Sequence, residues 1–124
     1  MRLLLVGGGG QLGTELRQSK MPQGVAFVAP SHSDLDLRNP ITISNVIAAE
    51  PWCAVINAAG YTDVDRAESE EAFATAINCT GPKSLAEETA RHGIPLIHVS
   101  TDYVFNGQKG APYVEGDAPA PINA

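Results

Sequence analysis

Strand and helix signals alternate along this sequence, and the alternation predicts a layered α/β fold on a parallel sheet of about five strands. Three observations carry that prediction. Short apolar runs recur between segments of helical period, a glycine cluster joins the first run to the first helix, and helix start and stop residues fall between the runs.

Leu3-Leu4-Leu5-Val6 is apolar throughout and ends in glycines, as a strand buried on both faces does. Leu12 and Leu16, four apart, start a helix expected to run to about Lys20. Val25 to Val28 reads as the second strand, and Asp34-Leu35-Asp36-Leu37, by its alternation, as a short third. Asn39-Pro40 pairs a capping side chain with proline at the first helical position; Ile43, Val46 and Ile47 supply one apolar face, and Pro51 ends the helix. Ala54-Val55-Ile56 is a further buried strand. A helical region over 64–91, interrupted near Gly81-Pro82, stops at Gly93, and Leu96-Ile97-His98-Val99 is the last strand. Residues 101–124 read as loop.

The totals narrow the function classes. The chain has 124 residues, enough for one domain with a real core. Hydrophobic residues make up 44% and charged residues 18%, an ordinary globular composition. The net charge is −6, without a Lys/Arg cluster, which argues against nucleic acid as partner. Cys53 and Cys79 lack CxxC spacing and read as buried thiols in a reducing compartment, and His32, His92 and His98 do not cluster, so no metal is expected. The apolar run in MRLLLVGGGG is too short for a signal peptide or a membrane span, so the expected location is cytoplasmic.

Chemistry begins at Gly7-Gly8-Gly9-Gly10-Gln11-Leu12-Gly13. Gly7, Gly10 and Gly13 recur every third residue, and Gly8, Gly10 and Gly13 form GxGxxG. Glycines let the backbone turn tightly and let a pyrophosphate approach its N–H groups, and the helix N-terminus favours the anion. The loop follows a strand and opens a helix, the context expected of a Rossmann-like dinucleotide site. A phosphate-binding P-loop is excluded because Thr14 stands where that motif requires lysine. Beyond Val28 come Ala29-Pro30-Ser31-His32-Ser33-Asp34. No acid directly follows the strand, and no Arg stands there for a 2′-phosphate; Asp34 lies about 20 residues past the glycines, and Ser31, His32 and Ser33 either offer hydrogen bonds to a phosphate or form a plain polar turn. The balance favours NADP and leaves NAD open.

Ligands of open α/β sheets bind beyond the carboxyl ends of strands. There this chain places Asn57-Ala58-Ala59-Gly60-Tyr61-Thr62 and Ser100-Thr101-Asp102-Tyr103-Val104-Phe105-Asn106-Gly107. Small residues in the first stretch admit a flat ring and ribose, and the second brings hydroxyls and a carboxylate to the same edge. Taken singly, Asn57 is a strand cap, Thr101 a backbone partner, and Tyr103 and Phe105 core aromatics. Asn78 has two open readings, packing residue or support for the site. Glu68, Glu70 and Glu71 read as a solvated helix face.

VGGGGQLGTEL, the LDL around Asp36, INAAGYTDVDRAE, the Asn78 helix, STDYVFNG and PYVEGDAPAPIN together resemble the dTDP-4-dehydrorhamnose reductase family of the extended short-chain dehydrogenase/reductases. The resemblance implies a doubly wound sheet and reduction of the 4-keto group of a dTDP-6-deoxyhexose by NADPH or NADH. It implies that Gly7, Gly10, Gln11, Leu12 and Gly13 hold the pyrophosphate and that Asp36 and Leu37 lie beside the adenine. Ala58, Ala59 and Tyr61 would line the nicotinamide-ribose side, Thr101 would be the catalytic hydroxyl, and Asp102 and Tyr103 would border the sugar. Asn106 stands where the family has Asp.

In that family the stretch like DAPAPIN leads into Tyr-Gly-x-x-Lys, which supplies the proton and binds the ribose. Residues 1–124 are therefore expected to form the N-terminal part of a dinucleotide-binding domain. Residues 101–124 would be its active-site loop and tail, with the C-terminal strands and substrate region absent and the fragment inactive. The apolar strand at 96–99 would lose its neighbour, which predicts self-association or a homodimer. A non-catalytic regulatory subunit of the same superfamily and another nucleotide-sugar reductase or epimerase are the alternatives.

Overall fold

The computed structural model describes residues 1–123; Ala124, the end of the expected tail, lies outside them. Its sheet has four parallel strands, β1 (Arg2–Val6), β2 (Ala26–Val28), β3 (Ala54–Asn57) and β4 (Leu96–His98), in the order β2-β1-β3-β4. Helices α1 (Gln11–Gln18), α2 (Pro40–Ala49), α3 (Val64–Ala67), α4 (Glu71–Thr75) and α5 (Gly81–Arg91) connect them. The chain steps outward from β1 to β2, then back past β1 to β3. With right-handed crossovers this reversal puts α1 on one face of the sheet and α2 with α5 on the other. Between β1 and β3 the connections diverge and leave a crevice at the carboxyl ends of the strands.

Burial follows from this layering. Leu4 pairs in register with Val55, and Val6 with Asn57. Leu4, Val6 and Val55 share a core cluster with Ile43 and Ile47 of α2, Leu85 of α5 and Trp52. Leu5, on the opposite face of β1, is also fully buried. Both sheet faces are covered, which is why β1 is continuously apolar. Asn39 caps α2 by accepting from Ile41 N at 3.1 Å, with Pro40 at the first helical position. No helix of the described residues is long and apolar enough to cross a membrane.

The structure corrects several expectations. The segment 34–37 is not a strand, so the described sheet has four strands and not about five. Asp34 N and Leu35 N both donate to Ser31 O, at 3.1 and 3.0 Å, making a turn there. Leu35 and Leu37 are buried as the alternation implies, but from an irregular segment that packs on the core without joining the ladder. Helix α1 stops at Gln18, two residues short. The helical region 64–91 breaks first at Glu68–Glu70 and then widens into a π-turn at Ala76–Thr80, just before Gly81.

Cys53 and Cys79 are exposed, not buried. Tyr103 is 54% exposed and is no core aromatic. The stretch 101–123 contains a 3-10 turn, Asp102–Val104, and is a folded loop. Ala120 N donates to Val104 O at 2.8 Å, and Phe105 and Tyr113 stack with centroids 4.1 Å apart.

Candidate functional site

The glycine turn shows which of its glycines the close packing requires. Gly7 has φ of 81°, and a Cβ there would lie 2.5 Å from Ala59 N, so only glycine lets the ends of β1 and β3 converge. A Cβ on Gly13 would meet Gly7 O at 2.2 Å, and one on Gly8 would meet Ala29 Cβ at 2.5 Å. Gly7 and Gly13 thus bring strand, turn and helix together, while Gly9 faces open space with nothing within 4 Å. Gly10 is the N-cap of α1 and makes no side-chain cap bond, so the first-turn N–H groups lack both an intrahelical and a capping partner, as an anion-binding helix N-terminus requires.

Above this turn lies a cleft of about 570 Å³. Gly7 to Gly10 line one side, Ala29 to His32 and Leu35 to Arg38 a second, and Ala58 to Gly60 with Phe73 and Ile77 a third. The size suits a small-molecule ligand, and the glycine surface is a cradle that side chains would fill. Of the residues singled out from the sequence, Gly7, Gly10, Asp36, Leu37, Ala58 and Ala59 meet on this wall. Gly13 is buried beneath it, and Gln11 and Leu12 open α1 at its edge.

A continuous chain of contacts builds the wall beside Asp36. Arg38 Nε donates to Asp36 Oδ1 at 2.9 Å and Nη2 to Oδ2 at 2.6 Å, a two-pronged ion pair. The guanidinium of Arg38 lies 5.2 Å over the Phe73 ring. Phe73 meets Tyr61 edge-on at 5.4 Å, and Tyr61 OH donates to Glu70 Oε2 at 2.7 Å. Glu70 also accepts from Arg66 at 2.5 Å, so it is a structural partner and not part of a solvated face. The Tyr61 hydroxyl bonded to Glu70 is pushed up, and Glu70, accepting from Tyr61 and Arg66, is pushed down. Tyr61 therefore buttresses the cleft through Phe73, and its ring is not on the lining.

Hydrogen bonds from the Arg38 side chain and backbone lower Asp36 from 3.8 to about 2. The folded-state value lies below the ordinary one, so the pair stabilises the fold fully above pH 4 and less as pH falls toward 2. Asp36 is 29% exposed, and water screening holds the contribution to about 1 kcal/mol. Urea midpoints between pH 4 and 2 should therefore fall more steeply for the wild type than for Asp36→Asn; parallel slopes would contradict the pairing.

Two polar side chains set the β3 end. Asn57 is fully buried; its Oδ1 accepts from Ala59 N at 3.1 Å, and its Nδ2 meets His98 Nδ1 of β4 at 3.1 Å. It holds the Ala58-Ala59 stretch in place across the strands. Asn78, on the π-turn, accepts from Tyr61 N at 2.8 Å and donates to Tyr61 O at 2.9 Å. Both bonds go to the Tyr61 backbone and tie the π-turn to the 58–61 stretch, an arrangement that either of its two open readings allows. Beyond β4, Thr101 Oγ1 accepts from Tyr103 N at 3.2 Å and contacts Asp102 Oδ1 at 3.4 Å. Thr101, Asp102 and Tyr103 stand at the same sheet edge but outside the cleft lining.

Arg17, Arg38, Phe73 and Ile77 line the cleft and were not foreseen. Arg17 carried a usable signal: it lies four residues after Gly13 and so shares the face of α1 that Gly13 turns to the loop.

The model of the RmlD substrate binding domain matches residues 1–124. The chain belongs to the RmlD family. Among the family's curated members, dTDP-4-dehydrorhamnose reductase of Mycobacterium tuberculosis is 46% identical over 97% of this chain and 40% of its own length. The same-named protein of Escherichia coli is 39% identical over 99% of this chain and 42% of its own. The crystal structure of dTDP-4-dehydrorhamnose reductase from Bacillus anthracis in complex with NADP superposes with a TM-score of 0.93, at 34% identity, covering 98% of this chain and 44% of that one. The chain thus spans about two fifths of the length of the RmlD-family relatives it matches.

Proposed function

We propose that this chain forms the dinucleotide-binding part of a reductase that transfers hydride from NADPH, or NADH, to the 4-keto carbon of dTDP-4-dehydro-L-rhamnose. The observation that carries the reading is the glycine-floored cleft at the point where the sheet order reverses, in a chain matched throughout by the RmlD family. An NADP-bound relative of the same backbone course supports it.

The dinucleotide supplies the hydride. The first turn of α1, with Gly7, Gly10, Gln11, Leu12 and Gly13, holds the pyrophosphate by backbone N–H groups and helix dipole. Asp36 and Leu37 border the adenine, Asp36 being kept ionised by Arg38. Ala58 and Ala59 lie against the nicotinamide ribose, with Tyr61 bracing that wall. The Thr101 hydroxyl donates to the substrate oxygen as negative charge builds on it. Asp102 and Tyr103 border the sugar.

Calorimetric titration tests the binding step. In the protein at its full natural length NADPH should bind saturably at one site, and Gly10→Val, which crowds the α1 N-terminus, should weaken it by about tenfold or more. Failure of both NADPH and NADH to bind would end the reductase reading.

A further inference from the structure

An enzyme that takes the unphosphorylated dinucleotide needs an acceptor for the adenosine ribose hydroxyls near the end of the second strand. This cleft has two acids near that place, and both are engaged. Asp34 Oδ2 accepts from Ser31 Oγ at 2.6 Å and from Ser31 N at 3.3 Å. Asp36 is held in the two-pronged pair with Arg38. The residues that directly follow β2 are Ala29, Pro30 and Ser31, none acidic.

Charge on the wall points the other way. Asp36 and Arg38 neutralise each other, which leaves Arg17. Among the described residues no carboxylate pairs with it. Its Nη1 makes a long bond of 3.3 Å to the neutral acceptor Gly8 O. Its Cδ and Ala29 Cβ lie 3.4 and 2.5 Å from the point a Gly8 Cβ would occupy. The arginine stem thus packs on the glycine loop directly beside the carboxyl end of β2. A guanidinium fork matches a phosphate, and a ribose hydroxyl gains little from it.

We infer that Arg17 is the residue that selects a 2′-phosphorylated dinucleotide over the unphosphorylated form in this cleft. The inference rests on the cofactor reading proposed above. Arg17 acts on the phosphate and not on the pyrophosphate, which the α1 N-terminus serves.

Titration of NADPH and NADH into the protein at its full natural length, wild type and Arg17→Gln, tests this. The NADPH dissociation constant should rise about tenfold or more in Arg17→Gln while that for NADH changes less than about twofold. Arg17→Lys, which keeps a point charge, should fall between them and carries the same ratio test should Arg17→Gln not fold. Added salt should narrow the wild-type preference, since Arg17 is exposed. Equal weakening of both dinucleotides, or an unchanged NADPH constant, would overturn the inference and leave the reductase reading standing. No binding of either by the wild type would remove that reading and this one with it.

Discussion

Gly13→Val should destabilise the fold by more than about 3 kcal/mol, a large share of the stability of an ordinary small domain. Even a single added carbon would sit 2.2 Å from Gly7 O and 2.7 Å from Gly8 Cα, both backbone atoms that cannot rotate aside. Relief requires α1 to move off the loop. That movement would also separate Gly7 from Ala59, where β1 and β3 converge. Gly9→Ala provides the comparison: it faces open space, has no positive φ, and should change stability by less than about 0.5 kcal/mol. Urea midpoints would separate the two variants. Similar midpoints would mean that close approach of α1 to the turn does not limit the fold.

Thr101→Val should lower kcat by about 100- to 1000-fold in the protein at its full natural length, with dinucleotide affinity unchanged. Valine keeps the shape and removes the hydroxyl proposed to donate to the substrate oxygen. The same hydroxyl caps the short turn Asp102–Val104 by accepting from Tyr103 N, so some loop stability, about 1 kcal/mol, should go with it. Thr101→Ser is the control, since it restores donor and cap together and should recover both the rate and the loop stability, while any loss of affinity or stability in Thr101→Val is read separately from its kcat. Dinucleotide titration and steady-state rates on both variants make the measurement. If Thr101→Val turned over like the wild type, Thr101 would be a loop cap alone.

Most of the sheet was legible because burial on both faces leaves its mark on composition. Strands β1 and β3 are continuous apolar runs, and glycines or small residues end them at the cleft. Leu35 and Leu37 misled for a physical reason: alternation reports burial of every second side chain, and a turn closed on Ser31 O buries the same two leucines without a ladder. The glycines and the Ala58-Ala59 pair were legible in the cleft because backbone closeness and strand ends have local signatures, whereas Asp36 was reached only through the family resemblance. Phe73 was not, since what makes it part of the wall is a contact with Arg38, far away along the chain. Nor did the sequence reveal that Glu70, in an acidic run, would be the acceptor for Tyr61.

The loop after Thr101 has a consequence for how relatives of this protein diverge. Ala120 N on Val104 O closes its neck, the Phe105–Tyr113 stack fills it, and Lys109 pairs with Asp117 across it. A compact loop pinned by its own contacts transmits little of what happens at its tip. Residues added or lost around 107–112 would leave the turn that presents Thr101 where it stands, at a small entropic cost per residue. Insertions and deletions should therefore accumulate there over evolutionary time, while the spacing from β4 to Val104 stays fixed.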